Sequence, residues 1–156
     1  MANPDDLAAD DQKLTLETFL PYRLNRLADA ISREFAKTYR ERYGLTRPQW
    51  RTLAGLGQNG TMTAKAVGEQ SAMHKTKVSR AVAELERRKW LTRRRNTTDR
   101  RIEHLTLTRV GEAVYRELAP LAKAYEADLL ARMSPAQGKS VLQGLNALEA
   151  ALLPRR

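Results

Sequence analysis

Most of the chain carries hydrophobic residues at helical spacing, and one short basic stretch carries them at strand spacing. From about Leu14 to Tyr43, residues Leu16, Phe19, Leu20, Leu24, Leu27, Ile31, Phe35 and Tyr39 keep one face apolar over many turns. Pro21 interrupts this pattern and predicts a kink or a new start, because proline supplies no backbone donor. The apolar face exceeds what a small domain needs from one helix, which points to burial against a second subunit. Gly44 fits a left-handed helix end, and Thr46 with Gln49 fits a capping box with Pro48 in the first turn. Trp50, Leu53, Ala54 and Leu56 give the next helix its inner face, and Gly57 and Gly60 are expected to break it.

The centre is different. Thr63 is placed to cap a helix over Ala64–Gln70, and Ser71-Ala72-Met73 is short enough to turn between two crossing helices. From about His74 to Arg88, Val78, Ala81, Val82 and Leu85 form one buried stripe, while Lys75, Thr76, Lys77, Ser79 and Arg80 lie off it. Trp90–Arg93 and Ile102–Leu107 then read as strands around an arginine-crowded tip, Arg94–Arg100. The outline is a helix-turn-helix followed by a hairpin wing. Beyond Thr108 a helix runs to about Met133 with Pro120 inside it, and Ser134-Pro135 starts a last helix carrying Val141, Leu142, Leu145, Leu148, Ala151 and Leu152.

Charge follows the same division. Residues 61–111 hold 13 Lys/Arg against 5 Asp/Glu, a balance of +8, while the rest of the chain supplies only +2 of the net +10. Positive charge concentrated on one helix and one hairpin is the footprint expected of a protein that binds duplex DNA. At 156 residues, 42% hydrophobic and 29% charged, the chain suits one helix-rich globular domain. It has no cysteine, hence no disulfide and no thiolate metal site. Residues 1–13 are polar and acidic and are expected to be frayed. They do not fit a secretory signal, and no stretch has the apolar length of a membrane span, so the expected location is the cytoplasm.

Asp99-Arg100-Arg101-Ile102-Glu103-His104-Leu105-Thr106-Leu107-Thr108, followed by Gly111, resembles the wing signature of the MarR family of bacterial transcription regulators. His74–Arg80 with Leu85-Glu86 resembles that family's recognition helix, and the order of elements matches from about Thr15 to Leu153. One departure stands out: where such proteins usually have glycine between recognition helix and wing, this chain has Lys89, which would need a strained φ or a different helix end. The resemblance implies a mainly α fold with a small β-hairpin wing. It assigns 46–108 to a winged helix-turn-helix lobe and 14–43 and 109–153 to dimerisation helices, all within one domain, 1–156. It further implies a homodimer that binds pseudo-palindromic operator DNA and a repressor released by a small effector; the residues themselves point to neither cofactor nor metal.

On this reading Lys75, Thr76, Lys77, Ser79 and Arg80 address the major groove, where Arg and Lys bind guanine edges or phosphate and hydroxyls bind either. The plain alternative for any one of them is a solvated helix face. Arg94, Arg95, Arg100 and Arg101 would serve the wing, since a narrow minor groove attracts arginine. Asp99 would hold the Arg101 fork or simply make a turn, and both can be true. Trp50 and Trp90 read as core residues. His104, between apolar neighbours, reads as structural or exposed, and His74 has no metal constellation near it in sequence. Tyr22, Arg23, Trp50 and His74 are candidates for an effector pocket accepting an aromatic acid or its thioester, against the plainer reading of Tyr22 and Arg23 as surface or dimer contacts. Two other functions compete: a sequence-indifferent architectural DNA- or RNA-binding protein using the same charge, and an enzyme. The second lacks a Gly-rich phosphate loop and any nucleophile beside a base.

Overall fold

In the computed structural model residues 13–99 and 101–153 are described; the acidic start (1–12), the wing residue Arg100 and residues 154–156 lie outside them. The elements in order are α1 (Leu20–Tyr43), α2 (Arg47–Asn59), β1 (Met62–Thr63), α3 (Ala64–Ser71), α4 (Lys75–Arg87), β2 (Leu91–Arg95), β3 (Glu103–Leu107), α5 (Arg109–Ala131) and α6 (Pro135–Leu152). The fold is mainly helical, with one small antiparallel sheet in the order β1-β3-β2. The chain forms two compact units, Met1–Lys37 and Thr38–Arg156.

In the first unit the helix expected from Leu14 begins only at Leu20. Residues before it form hydrogen-bonded turns, with the amides of Thr18 and Phe19 donating to the Thr15 carbonyl at 3.2 and 3.1 Å. Pro21 therefore marks a new start rather than a kink, and in the first turn its missing donor costs nothing. Leu16, Phe19, Leu20, Leu27 and Ile31 are all exposed in the isolated chain.

The second unit follows the local signals closely. Gly44 ends α1 at φ 61°. The Thr46 amide donates to Gln49 Oε1 at 2.9 Å and opens α2. Gly57, expected to break that helix, lies inside it: a Cβ there would come within 2.3 Å of the Tyr115 ring on α5, so the residue permits close packing of two helices. Only Gly60, at φ 76°, ends α2. Thr63 Oγ1 accepts from the Ala66 amide at 3.1 Å and caps α3, and Ala72 turns the chain towards α4 in the left-handed region at φ 51°. The core of this unit gathers Leu45, Leu53, Leu56, Val67, Leu85, Leu91, Leu105 and Leu118, each no more than 2% exposed. Each such side chain contributes about 1.5–3 kcal/mol on burial.

The sheet contains one strand that periodicity did not reveal. β1 is two residues long, too short to alternate, yet it pairs Met62 with Leu105 and Thr63 with His104 and so ties α3 to the wing. The first wing strand begins at Leu91 rather than Trp90 and extends through Arg94 and Arg95, which were expected at the tip. Trp50 and Trp90, read as core, are only half-buried. Trp50 stacks on Tyr39 with ring centres 5.7 Å apart, and Trp90 meets Tyr43 edge-on at 5.8 Å.

Candidate nucleic-acid interface

Helix α4 has two faces with different tasks. Val78, Ala81, Val82 and Leu85 are 2% exposed or less and hold the helix on the core. Lys75, Thr76, Lys77, Ser79 and Arg80 are exposed beside its start, and among the described residues none of these three cations has a carboxylate partner. His74 occupies the N-cap position without a side-chain cap bond. The far end of α4 is anchored. Glu84 accepts from Arg87 Nη2 at 2.7 Å and from Arg88 Nε at 2.8 Å, and these two partners, Arg87 foremost, hold its carboxyl at a pKa of about 2. Arg88 also donates to the Tyr43 and Gly44 carbonyls at 2.6 and 3.3 Å and lies 5.2 Å from the Trp90 ring centre. The Tyr43 hydroxyl donates to Glu117 on α5.

A Schellman turn joins α4 to the wing. The Lys89 amide donates to the Glu86 carbonyl and the Trp90 amide to the Leu85 carbonyl, both at 2.9 Å. This places Lys89 at φ 60°, so of the two outcomes expected for a lysine here it is the strained φ that occurs. The same turn receives α5: Thr108 donates its amide to the Trp90 carbonyl at 2.9 Å and its hydroxyl to the Lys89 carbonyl at 2.7 Å. Gly111 makes this possible, since a Cβ at that position would lie 2.0 Å from the Trp90 carbonyl oxygen.

The wing sorts its arginines by strand alternation. Register pairs Leu91 with Leu107, Arg93 with Leu105 and Arg95 with Glu103, which puts these residues on the inner face. Arg94 pairs with His104 on the outer face and is exposed. The adjacent Arg94 and Arg95 thus point to opposite sides and do not act as one cluster, and Arg95 Nε lies 3.7 Å from Glu103. At the tip, Asn96 Oδ1 accepts from the Thr98 amide and hydroxyl at 2.9 and 2.8 Å. Asp99 accepts from Arg101 through its amide at 3.0 Å, Nε at 3.1 Å and Nη2 at 3.3 Å, and this grip lowers its pKa. Asp99 therefore both makes the turn and holds the Arg101 fork, whose side chain is 92% exposed. Arg100, the fourth expected wing arginine, lies outside the described residues.

Arg93 was not among the expected site residues. Its Nη1 donates to Glu103 and its Nη2 to Glu86, each at 2.9 Å, and the two carboxylates raise its pKa. The signal was present in the sequence: counting by twos from the buried Leu91 turns Arg93 inward. Every carboxylate of residues 61–111 is taken up in this way, Glu69 by Lys65 and the others by Arg87, Arg88, Arg93, Arg95 and Arg101. Between α3, α4 and the wing runs a groove of about 740 Å³ with Lys75, Ser79, Met73 and Val82 on one side and Arg93 and Arg101 on the other.

The effector candidates are divided between the two units. Tyr22 and Arg23 are exposed on α1 in the first unit, where Arg26 lies 5.8 Å over the Tyr22 ring. Trp50 lies on α2, and His74 caps α4 in the second unit. Among the described residues there is no cluster of three His, Cys, Asp or Glu able to hold a metal, and no helix long and apolar enough to cross a membrane.

Residues 43–102 match the model of the MarR family. Two relatives come from Bacillus subtilis strain 168. The uncharacterised HTH-type regulator YwoH is 30% identical over 72% of this chain and 80% of its own length, and the repressor MdtR is 30% identical over 58% of each chain. The solved MarR-family regulator SPO1453 of Silicibacter pomeroyi is 29% identical, with a TM-score of 0.72 over 87% of this chain and 98% of its own. Streptococcus pneumoniae FabT, solved in complex with DNA, shares the fold at 21% identity and a TM-score of 0.69, covering 85% of this chain and 94% of its own. With its capped helix-turn-helix, its Asp99–Arg101 wing and these relatives, the chain belongs to the MarR family of transcription regulators.

Proposed function

We propose that the protein is a homodimeric repressor that reads a pseudo-palindromic operator, with α4 in the major groove and the wing in the adjacent minor groove. The observation that carries this is the allotment of charge. Four of the five carboxylates of the central segment are consumed by cations at the far end of α4 and along the wing, and the fifth, Glu69, by Lys65 on α3; the cations without acid partners among the described residues include Lys75, Lys77 and Arg80 at the start of α4 and Arg94 on the wing. Thr76 and Ser79 add donors able to bind phosphate or base edges. The proposed footprint comprises these six residues with Arg95, Asp99, Arg100 and Arg101. MdtR's name as a repressor and FabT's complex with DNA support it.

The dimer would form through 14–43 and 109–153, which flank the 46–108 lobe. Exposed Leu16, Phe19, Leu27 and Ile31 near one end of the chain and Val141, Leu142 and Leu145 near the other support that assignment, because apolar surface of this extent calls for a partner. Two-fold symmetry would set the two recognition helices about 34 Å apart, one turn of duplex. An effector that binds a dimer with different spacing more tightly would release the operator, with an effect no larger than its differential affinity. Benzoate and its coenzyme A thioester are the probes for that step.

The decisive experiment is competition at matched salt between random duplex and the duplex that the full chain selects from a random-sequence pool. The repressor reading expects a preference of about a thousandfold or more. Binding within a few-fold of each other would instead establish a sequence-indifferent architectural protein.

A further inference from the structure

We propose that Arg93 is a positioning residue that locks the wing to the recognition helix, with Glu86 as its anchor, so that an acid on the DNA-binding side raises operator affinity rather than lowering it. The inference rests on the reading that α4 and the wing bind duplex DNA. Arg93 lies on the inner face of β2, opposite the buried Leu105, and its guanidinium bridges two elements: Glu86 on α4 and Glu103 at the start of β3, each at 2.9 Å. A planar fork gripped by two carboxylates fixes direction as well as distance. Its side chain is 32% exposed, against 92% for Arg101, and a guanidinium already bonded to two acids has few donors left for phosphate. β1 holds β3 from the other edge, but only beside His104 and Leu105, so nothing in that pairing fixes the Glu103 end relative to α4.

Simple electrostatics and the lock make opposite forecasts for Glu86→Ala. Removing a negative charge beside DNA should tighten binding to every duplex. Removing the anchor should instead free the wing, weaken the selected duplex about fivefold, and leave random duplex unchanged or slightly tighter. Hydroxyl-radical footprinting adds a readout that a loss of stability would not produce: the minor-groove protection under the wing disappears while the major-groove protection under α4 remains. Arg93→Lys, which keeps one of the two bonds, should fall between wild type and Arg93→Met in both assays. Glu86 is 43% exposed on a helix, so the alanine variant folds, as an unchanged melting temperature would verify.

The lock is overturned if Glu86→Ala binds the selected duplex as tightly as wild type with both protections intact. It is also overturned if Arg93→Met weakens selected and random duplex equally and lowers the salt slope by about one phosphate, which is the behaviour of a direct contact. Failure of the parent reading looks different, since wild type itself would then select no duplex and leave no footprint.

Discussion

Lys89 offers the sharpest test of how the recognition helix is joined to the wing. It stands at the left-handed position of a Schellman turn, with φ 60°. For a residue with a side chain that conformation costs about 1–2 kcal/mol, because Cβ crowds the backbone carbonyl. Glycine would remove the cost but add roughly 0.4–1 kcal/mol of unfolded-chain entropy. The balance for Lys89→Gly is a gain of roughly 0.5–1 kcal/mol, or a rise of about 1–4 °C in melting temperature for a chain of this length. The turn's own bonds are backbone donors from Lys89 and Trp90 to Glu86 and Leu85, so neither side chain nor charge is needed to keep them.

Lys89→Ala separates strain from charge. Alanine keeps Cβ and the strain while removing the ammonium, and its melting temperature should stay at the wild-type value when measured in moderate salt. The assay is thermal unfolding at one fixed protein concentration, since any self-association makes the midpoint concentration-dependent. If the glycine and alanine variants melt together, or glycine melts lower than wild type, the strain argument is wrong. A loss of DNA affinity equal in the two variants would assign the ammonium a phosphate contact, a functional reason to keep lysine at a strained site.

Gly111→Ala should destabilise by about 3 kcal/mol or more, seen as a lower denaturation midpoint, because the new methyl would meet the Trp90 carbonyl in a turn that two hydrogen bonds from Thr108 hold in place. Arg101→Ala should weaken binding of the selected duplex by about 1–3 kcal/mol without changing the sedimenting mass; unchanged affinity would remove the wing from the mechanism. Glu84 has a folded pKa lowered from 4.5 to about 2, so the stability it adds is complete above pH 4.5 and is lost as the pH falls towards 2; Glu84→Gln should flatten that part of the acid-unfolding curve. Counting Lys75, Lys77, Arg80, Arg94 and Arg101, with or without Arg100, the salt slope of a dimer on operator should be about −9 to −11, whereas engagement of every central cation would give about −23.

Much of this architecture could be read from the chain because its boundaries rest on local chemistry. Thr63, Thr108 and Ser134 each accept from an amide three residues on, and Gly44 and Gly60 take the left-handed turns that only glycine adopts freely. Where the reading went astray, the cause was tertiary. Gly57 is a helix breaker by composition, but the ring of Tyr115, nearly sixty residues away, needs the space its absent side chain leaves. β1 owes its existence to Leu105 and His104 across the sheet, not to any pattern in Met62-Thr63. Arginine-rich runs are hardest to read, because composition makes Arg93, Arg94 and Arg95 equivalent while the pleat gives them three different surroundings.

That last point decides how the central charge is understood. A balance of +8 over residues 61–111 looks like attraction spread along the segment, but the acids are not spread. Glu84 is used up at the anchored end of α4, where Arg88 binds the carbonyls that close α1, and Glu86 and Glu103 are used up on the wing's inner face. Cations in those positions do mechanical work and carry little net field outward. The unbalanced charge is thereby moved to the start of α4 and the outer face of the wing, where Lys75, Lys77, Arg80 and Arg94 stand. Had the acids been placed evenly among these residues, the net charge would be the same, but the helix would lose its anchor and the proposed reading face its field. Placement of the five carboxylates, more than the number of arginines, is what gives this lobe a direction.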